Sequence, residues 1–243
     1  DNMGCRYRMN ERNPAVLTLY IANKNYSSWS LRPWVLMKTL GIPFTERLVP
    51  LEQGSCWDSY RSFSPNGLVP CLHDDDVIVW ESLAITEYLA EDHDGVWPSD
   101  KHARAWARSA TAEMHAGFSA LRNDCSMNCG IRIKLDSISP ALQKDLDRLN
   151  ELWNEGLSRF GGPFLAGESF CAVDAFFAPV AFRLQTFKLA LSGAAEAYTQ
   201  RLLGLEAMTD WSEAGLKETW RENDHEKAAL DSGTLLADLR STV

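Results

Sequence analysis

Short strands and helices alternate through the first third of the chain, and only helical patterns follow them. Residues 17–22 and 44–49 have the apolar, partly β-branched composition of strands, and a helical stretch lies between them. This arrangement favours a parallel pair joined by a right-handed crossover. Residues 57–63 predict a short helix or an irregular segment. Residues 69–72 and 77–80 predict a hairpin, and another helix begins at Ser82. The order β-α-β-α-β-β-α followed by helices predicts an α/β domain in front of an all-helical domain.

The change of pattern falls at Trp97–Pro98, where we predict the domain boundary. The predicted segments are an N-terminal arm at 1–16, the α/β domain at 17–94, a linker at 95–98 and the all-helical domain at 99–243. Helical periodicity in the last segment covers residues 101–123, 140–160, 172–191, 194–205 and 208–220. The third of these helices is mostly apolar, so we expect it to be nearly buried.

The charge balance argues against nucleic acid as a main partner. The chain has 24 Lys and Arg against 33 Asp and Glu, a formal net charge of −9. Phosphate binding requires a surplus of cations on one face. No apolar run approaches the roughly 20 residues that cross a bilayer, so no membrane partner is expected.

The six cysteines are dispersed, and the first residues lack the apolar core of a signal peptide. This usage favours a reduced, cytoplasmic protein over a disulfide scaffold. Cys125 and Cys129 have a metal-like spacing, but no second pair or histidine cluster follows them. No metal is therefore predicted.

Two short motifs lie eleven residues apart in the α/β segment. Residues 66–70 are Asn-Gly-Leu-Val-Pro, and residues 81–89 are Glu-Ser-Leu-Ala-Ile-Thr-Glu-Tyr-Leu. Together with the domain order, these motifs resemble the cytosolic glutathione S-transferases over nearly the whole chain. The resemblance implies a thioredoxin-like N-terminal domain, a helical-bundle C-terminal domain and glutathione as co-substrate.

The same resemblance implies a set of glutathione-binding residues. The Val69–Pro70 bond would be cis, and the backbone before the proline would pair with the cysteinyl part of glutathione. Ser82 at the start of a helix would bind the γ-glutamyl carboxylate, and the Glu81 carboxylate would face the ammonium group. The structural alternative for Ser82 is a capping serine on an ordinary helix.

The loop at residues 26–30 is the expected location of the sulfur atom. Its sequence, Tyr-Ser-Ser-Trp-Ser, resembles the Ser-Ser-Cys-Ser entry of the zeta class, with Trp29 at the cysteine position. By this alignment Ser27 donates a hydrogen bond to the glutathione thiolate, Ser28 is the runner-up and Ser30 caps the helix. Tyr26 is a rival donor.

Other donors and nucleophiles stay open at this point. Tyr20 lies within a predicted strand, where its side chain is expected to join the core. Exchange of thiols through Cys71 or Cys56 is a further alternative, although no Cys-x-x-Cys motif lies at the expected loop.

The second substrate is expected beside Trp29, which would wall a pocket for an electrophile. The tentative pocket also includes residues of the first long C-terminal helix: Trp106, Arg108, Met114, Phe118 and Arg122. An aromatic and methionine stripe is also typical of a helix core. Arg108 and Arg122 are the candidates for binding an acidic second substrate.

Two departures from the family pattern bear on the site and on local stability. Leu68 stands where many relatives have Gln or Lys near the glycyl group, and Arg32 or Lys24 are candidates to compensate. Cys171 replaces the Ser or Thr of a capping box with Asp174, which weakens one half of the box. Asp174 is predicted to be structural.

The sequence therefore predicts a glutathione S-transferase that uses a serine hydroxyl to activate the thiolate for attack on a small electrophile. Conjugation, isomerisation and peroxide reduction share this thiolate and remain open. The alternative is a catalytically silent protein that binds glutathione or another ligand on the same fold. A homodimer is expected by analogy with the family.

Overall fold

The computed structural model describes residues 17–51 and 56–240; the predicted N-terminal arm lies outside the described residues. The first part of the fold contains the seven elements that the sequence predicted, in the predicted order. They are β1 (Leu17–Ile21), α1 (Ser28–Thr39), β2 (Phe44–Leu48), α2 (Trp57–Arg61), β3 (Cys71–Asp74), β4 (Val77–Trp80) and α3 (Ser82–Asp92).

The four strands form one mixed sheet in the order β2-β1-β3-β4. Strands β1 and β2 run parallel, with Leu17 opposite Phe44, so the predicted crossover is confirmed. Strands β3 and β4 are antiparallel to their neighbours. Sheet pairing of β3 begins at Cys71, two residues later than predicted, which leaves Val69 outside the paired part of the strand. This is a thioredoxin-like domain.

Helices dominate the rest of the chain, as predicted. They are α4 (Lys101–Ala116), α5 (Ser119–Asp124), α6 (Pro140–Phe160), α7 (Ala172–Thr186), α8 (Ala194–Leu203), α9 (Glu206–Lys217) and α10 (Asn223–Asp231). Helix α6 has the predicted bounds, whereas α7, α8 and α9 end earlier than the periodicity indicated. None of the helices within the described residues is long and apolar enough to cross a membrane.

The predicted helix at 101–123 is interrupted. Helix α4 ends at Gly117, where a Cβ atom would lie 2.8 Å from the carbonyl oxygen of Glu113. Phe118 follows with φ of 55°, in the left-handed region that L-residues rarely adopt, and α5 then begins. Helices α4 and α5 are therefore separate elements, and the prediction of one continuous helix over residues 101–123 is wrong.

A two-stranded sheet within the helical region was not predicted. Strand β5 (Ile131–Leu135) pairs antiparallel with β6 (Gly233–Asp238), close to the end of the described residues. The expectation of helices alone after residue 98 is wrong in this respect, although the region is helical elsewhere. About 100 residues separate the two strands, so no local hairpin pattern indicates the pairing.

Helix α7 is the centre of the helical region, because every residue in it except Gln185 is buried. The first turn of α7 has the predicted capping box between Cys171 and Asp174. Oδ2 of Asp174 accepts from the backbone N–H of Cys171 at 2.9 Å, and the Cys171 sulfur faces the N–H of Asp174. Burial raises the pKa of Asp174 to about 6, although a hydrogen bond from the hydroxyl of Tyr198 at 2.7 Å favours the anion.

The loop between β1 and α1 is held by the C-terminal helices. The two carboxylate oxygens of Glu218 accept from the backbone N–H groups of Lys24 at 2.6 Å and Asn25 at 3.2 Å. Trp211 donates to the carbonyl oxygen of Lys24 at 2.7 Å. Gly215 permits this approach, since a Cβ there would lie 3.1 Å from the nitrogen of Asn25. Contacts distant in sequence therefore fix the loop that precedes Ser27.

Candidate active site

Two adjoining cavities border the loop that starts α1. The first cavity has a volume of about 310 Å³ and is lined by Trp29, Asn66, Leu68, Val69, Pro70 and Glu81. The second has a volume of about 380 Å³, and its lining includes Ser27, Ser28, Trp29, Val69, Arg122 and Arg183. Because Trp29, Leu68 and Val69 line both, the two cavities form one groove.

The first cavity brings together the two motifs that carried the family resemblance. The Val69–Pro70 bond is cis, as the resemblance implied. Glu81 stands immediately before α3 with φ of 72°, an unusual conformation for a residue other than glycine. Such a conformation costs free energy and persists only where the surrounding structure fixes it. The backbone thereby holds the Glu81 carboxylate at the cavity and the first turn of α3 behind it.

Ser82 begins α3, and its side chain carries an unmet hydrogen-bonding requirement. The residue is fully buried, and its Oγ atom has no partner among the described residues. A buried hydroxyl without a partner is unfavourable, and the first N–H groups of a helix attract anions. This donor set fits the carboxylate of a glutathione-like ligand.

Ser27, rather than Ser30, caps the first helix. The Oγ of Ser27 accepts from the backbone N–H of Ser30 at 3.4 Å and also lies 2.7 Å from the Oγ of Ser30. Ser30 itself is the third residue of α1, buried, and accepts from the backbone N–H of Ala22 at 3.2 Å. The prediction of Ser30 as the cap is wrong, because the helix starts three residues earlier than a cap at Ser30 requires.

Ser28 has a different environment. Nη2 of Arg183 donates to the Oγ of Ser28 at 3.3 Å, and both residues line the second cavity. A hydroxyl that accepts from a guanidinium keeps its own proton for donation to a third group. Ser28 is therefore the serine of this loop whose hydroxyl combines a cationic neighbour with a proton available for a ligand.

The tyrosines and the buried cysteine are poorly suited to activate a thiol. The hydroxyl of Tyr26 donates to Glu226 at 2.6 Å, and burial together with this carboxylate raises the pKa of Tyr26 to about 12. Tyr20 stacks on Phe63 with ring centroids 4.4 Å apart. Burial raises the pKa of Cys71 to about 11, which disfavours the nucleophilic thiolate.

Three guanidinium groups surround the bottom of the groove. Those of Arg32 and Arg122 lie 4.1 Å and 4.4 Å from the centroid of the Trp29 ring. Arg183 reaches the same region from α7 through its contact with Ser28. Arg32 is 1% exposed and also lies 4.8 Å from the ring of Phe176. The groove is thus floored by cations stacked on aromatic rings.

None of these three arginines is paired with an acid. Within residues 17–51 and 56–240, the ion pairs closer than 4 Å all involve other cations. Burial lowers the pKa of Arg183 to about 10, and burial and the two other arginines lower that of Arg32. The pKa of His115, whose ring lies 5.3 Å from Trp29, is lowered by burial and by Arg32.

The structure brings only part of the tentative electrophile pocket together. Trp29 and Arg122 line the second cavity, whereas Met114 and Phe118 are buried core residues. Trp106 donates to Glu155 at 3.0 Å and packs on Phe160, and the exposed Arg108 pairs with Glu87 at 3.2 Å. The residue of this set that lines the cavity, Arg122, lies on α5, whereas Trp106, Arg108 and Met114 lie on α4.

Lys24 and Arg32 are the candidates to take over the role of the Gln or Lys that relatives have at the position of Leu68. Both side chains make other contacts in the structure. Lys24 pairs with Glu46 at 2.8 Å and lies over the rings of Trp34 and Trp211. Arg32 lies beneath Trp29. Leu68 itself is 56% exposed at the rim of the groove.

Sequence reasoning missed Arg183, although the sequence carries a signal for it. Residues 172–187 are almost wholly apolar, and Arg183 is the cation in that run. A charge in a helix predicted to be buried needs a partner or a function. The partner, Ser28, is 155 positions away and cannot be inferred from the local pattern.

Residues 26–92 match the family described as "Glutathione S-transferase, N-terminal domain". Glutathione S-transferase F14 of Arabidopsis thaliana is 33% identical over 135 residues, covering 51% of this chain and 52% of the relative. GstB of Escherichia coli, also a glutathione S-transferase, is 32% identical over 115 residues, covering 42% and 54%. The chain thus spans about half the length of these curated relatives. These matches show that the chain is similar to glutathione S-transferases.

Solved structures share the fold over most of the chain. A glutathione transferase homolog from Burkholderia with bound glutathione has a TM-score of 0.63 and 23% identity, covering 82% of this chain and 98% of that one. A theta class glutathione S-transferase from Xanthomonas axonopodis with glutathione bound has a TM-score of 0.61 and 22% identity, covering 82% and 97%. At this level of identity the likeness shows the fold.

Proposed function

We propose that this chain is a glutathione S-transferase that binds glutathione along the groove and ionises its thiol at the start of α1. The observation that carries the proposal is the meeting of three features in one groove. These are the Val69–Pro70 backbone and Glu81 in the first cavity, and the Ser27–Ser28 turn in the second. The buried, unsatisfied hydroxyl of Ser82 belongs to the residue that directly follows Glu81. Relatives of this chain are named as glutathione S-transferases, which supports the same activity.

The γ-glutamyl end of glutathione would occupy the first cavity. Its carboxylate would accept from Ser82 and from the first N–H groups of α3, where the helix dipole favours an anion. The Glu81 carboxylate, held at the cavity, would accept from the ammonium group. Val69 lies outside the paired part of β3, which leaves its backbone suited to pair with the cysteinyl unit.

The thiol would lie in the second cavity, beside the start of α1. A free thiol has a pKa near ~8.5, and each unit by which the pKa falls corresponds to about 1.4 kcal/mol. We propose Ser28 as the donor to the thiolate and Ser27 as the cap that holds the turn. The contact from Arg183 to Ser28 supports this choice, because it leaves the Ser28 proton available and adds positive charge.

The reaction needs no base from the protein once the thiol is ionised. With a chloronitroarene, the thiolate attacks the ring carbon that carries chlorine and a C–S bond forms. The C–Cl bond then breaks, chloride leaves with its electron pair, and the thiol proton passes to solvent. Isomerisation and peroxide reduction begin from the same thiolate and are equally open to it.

Two measurements test the proposal. Calorimetry with glutathione is expected to show binding, and chlorodinitrobenzene, an isothiocyanate and cumene hydroperoxide form a panel for turnover. Binding without turnover across the panel would favour the catalytically silent alternative. Absence of glutathione binding would remove the proposal altogether.

We further propose a homodimer in the cytoplasm. Strand β4 is an edge strand, and it exposes Val77, Ile78 and Trp80, which supports an apolar contact surface. Cys71, Cys125, Cys129 and Cys171 form no disulfide, in keeping with a reducing location. Light scattering that gives a mass near the 27.3 kDa of one chain would contradict the dimer.

A further inference from the structure

The wall of the second cavity carries positive charge with no carboxylate of the described residues within 4 Å of it. Arg122 and Arg183 line this cavity, and the buried Arg32 lies against the Trp29 ring. The charge of Glu81, which lines the first cavity, acts on Arg32. The chain as a whole is acidic, with a net charge of −9, and its described ion pairs engage other cations. The missing counter-charges are therefore a local property of this site.

Structural roles account for part of these guanidinium groups. Nη1 of Arg122 donates to the carbonyl oxygens of Met114, His115 and Gly117 at the end of α4, at 3.0 to 3.4 Å. Nη1 of Arg183 donates to the carbonyl oxygens of Arg122 and Cys125. Carbonyl groups satisfy hydrogen bonds but leave the net charge in place.

Other donors of the cluster have no such role. Nε of Arg183, and Nε and Nη1 of Arg32, are buried without a hydrogen-bond partner among the described residues. Arg183 is 6% exposed and Arg32 is 1% exposed. Buried cations are ordinarily paired, because removing a charge from water is costly. The cluster therefore keeps an excess of positive charge next to the second cavity.

We propose that the second substrate is a small electrophile bearing a carboxylate, which binds at the Arg122 and Arg183 wall of the second cavity. A guanidinium matches the planar, two-oxygen geometry of a carboxylate. Ser28, which lines the same cavity, would keep the thiolate next to the electrophilic carbon. Trp29 also lines this cavity and would provide an apolar wall for the aromatic or unsaturated body of the substrate. This inference rests on the proposed function of the same groove.

A pair of matched substrates tests the inference. Chlorodinitrobenzoate, with chlorine para to the carboxylate, and its methyl ester undergo the same displacement of chloride by the glutathione thiolate. They differ chiefly in one negative charge. We expect the acid to have the higher kcat/KM with the parent protein. The ester group activates the ring more strongly than the carboxylate does, so intrinsic reactivity alone would favour the ester.

Arg122→Met removes the charge and keeps the length of the side chain. We expect kcat/KM for the acid to fall at least about tenfold, as for loss of a charge-assisted contact. The value for the ester should fall much less than the value for the acid, since the ester has no negative charge to lose a partner. Arg122→Lys should restore much of the preference for the acid. The matched control is Arg104→Met, because Arg104 also donates to carbonyl groups but lines another cavity.

Binding gives a readout that does not require turnover. Calorimetry on the glutathione-loaded protein with dinitrobenzoate and with dinitrobenzamide compares a charged and a neutral ligand that cannot react. We expect the parent protein to bind the benzoate more tightly than the benzamide, and Arg122→Met to lose this preference. That result would support the inference even if no substrate turns over and the transferase proposal fails.

Three results would overturn the inference. The first is equal kcat/KM for acid and ester with the parent protein, after correction for their rates with free glutathione. The second is an equal decrease of both values of kcat/KM in Arg122→Met. Weaker binding of glutathione itself in Arg122→Met, with the preference between acid and ester kept, would assign the cluster to glutathione instead.

Discussion

Nη2 of Arg183 lies 3.3 Å from the Oγ of Ser28, joining the central helix of the C-terminal region to the first turn of α1. Ser27, the preceding residue, directs its own Oγ to Ser30 instead, at 2.7 Å. Two adjacent serines in the same loop are therefore given different tasks by their surroundings. The contact from Arg183 is the reason that we propose Ser28 as the donor to the thiolate, whereas the Oγ of Ser27 caps the helix.

Substitution of these serines should separate the two tasks. Ser28→Ala is expected to raise the pKa of bound glutathione and lower turnover at neutral pH, with partial recovery as the pH rises and solvent ionises the thiol. Ser27→Ala should instead lower stability by about 0.5–2 kcal/mol, the usual effect of losing a cap. Ultraviolet titration of the thiolate at saturating glutathione measures the first effect, and thermal unfolding measures the second.

Cys71→Ala serves as the control and should leave conjugation nearly unchanged. If Ser27→Ala shifts the titration while Ser28→Ala behaves like the parent, Ser27 is the donor that the sequence alignment indicated. Loss of activity in Cys71→Ala alone would overturn a serine mechanism of either kind.

Ser82→Ala should weaken glutathione binding by roughly 1.5–3 kcal/mol, the range for a hydrogen bond to a charged group. The reason is that the buried Oγ of Ser82 has no partner until the carboxylate arrives. Thr111→Val is a matched control, since Thr111 also has a buried hydroxyl without a described partner but lies on α4. Calorimetry that shows equal affinity for Ser82→Ala and the parent would remove Ser82 from the site.

Arg32→Met is expected to stabilise the protein in the absence of ligands. Replacing a buried charge by an apolar side chain of similar length commonly gains about 1–4 kcal/mol where the charge lacks a good partner. In a chain of this size each kcal/mol corresponds to roughly 2–4 °C in Tm. Differential scanning calorimetry measures the change.

Arg148→Met provides the contrast, because Arg148 holds both carboxylate oxygens of Glu113 at 2.7 and 2.9 Å. Its replacement should lower Tm or leave it unchanged. A lower Tm for Arg32→Met would indicate that stacking on Trp29 and Phe176 outweighs the burial of the charge.

Tyr26→Phe should cost stability and leave the thiol chemistry intact. The substitution removes the hydrogen bond to Glu226, at an expected cost of roughly 1.5–3 kcal/mol, while Asn128 still donates to that carboxylate at 3.2 Å. The pKa of Tyr26, raised to about 12, keeps the phenol from acting as a base at neutral pH. A large shift in the thiolate titration of Tyr26→Phe would instead make Tyr26 the activating residue.

Features that depend on neighbours along the chain could be predicted from the sequence alone. The seven elements up to residue 92, the bounds of α6 and the cis bond before Pro70 all follow local signals or a local motif. Periodicity of apolar residues reports which face is buried, so these assignments required no tertiary contact. The start of α3 at Ser82 was likewise marked by the residues around it.

The set of groups that meet in the groove depends on contacts between residues distant in the sequence. Arg183 reaches Ser28 across 155 positions, and Glu218 holds the loop before Ser27 across 194. The pairing of β5 with β6 and the left-handed turn at Phe118 also depend on the packed helices. Such contacts form only when the chain closes long loops. The entropy cost of closing these loops is offset by several distant contacts acting together. No local pattern encodes them, and for that reason the charge of the site became visible only in the folded chain.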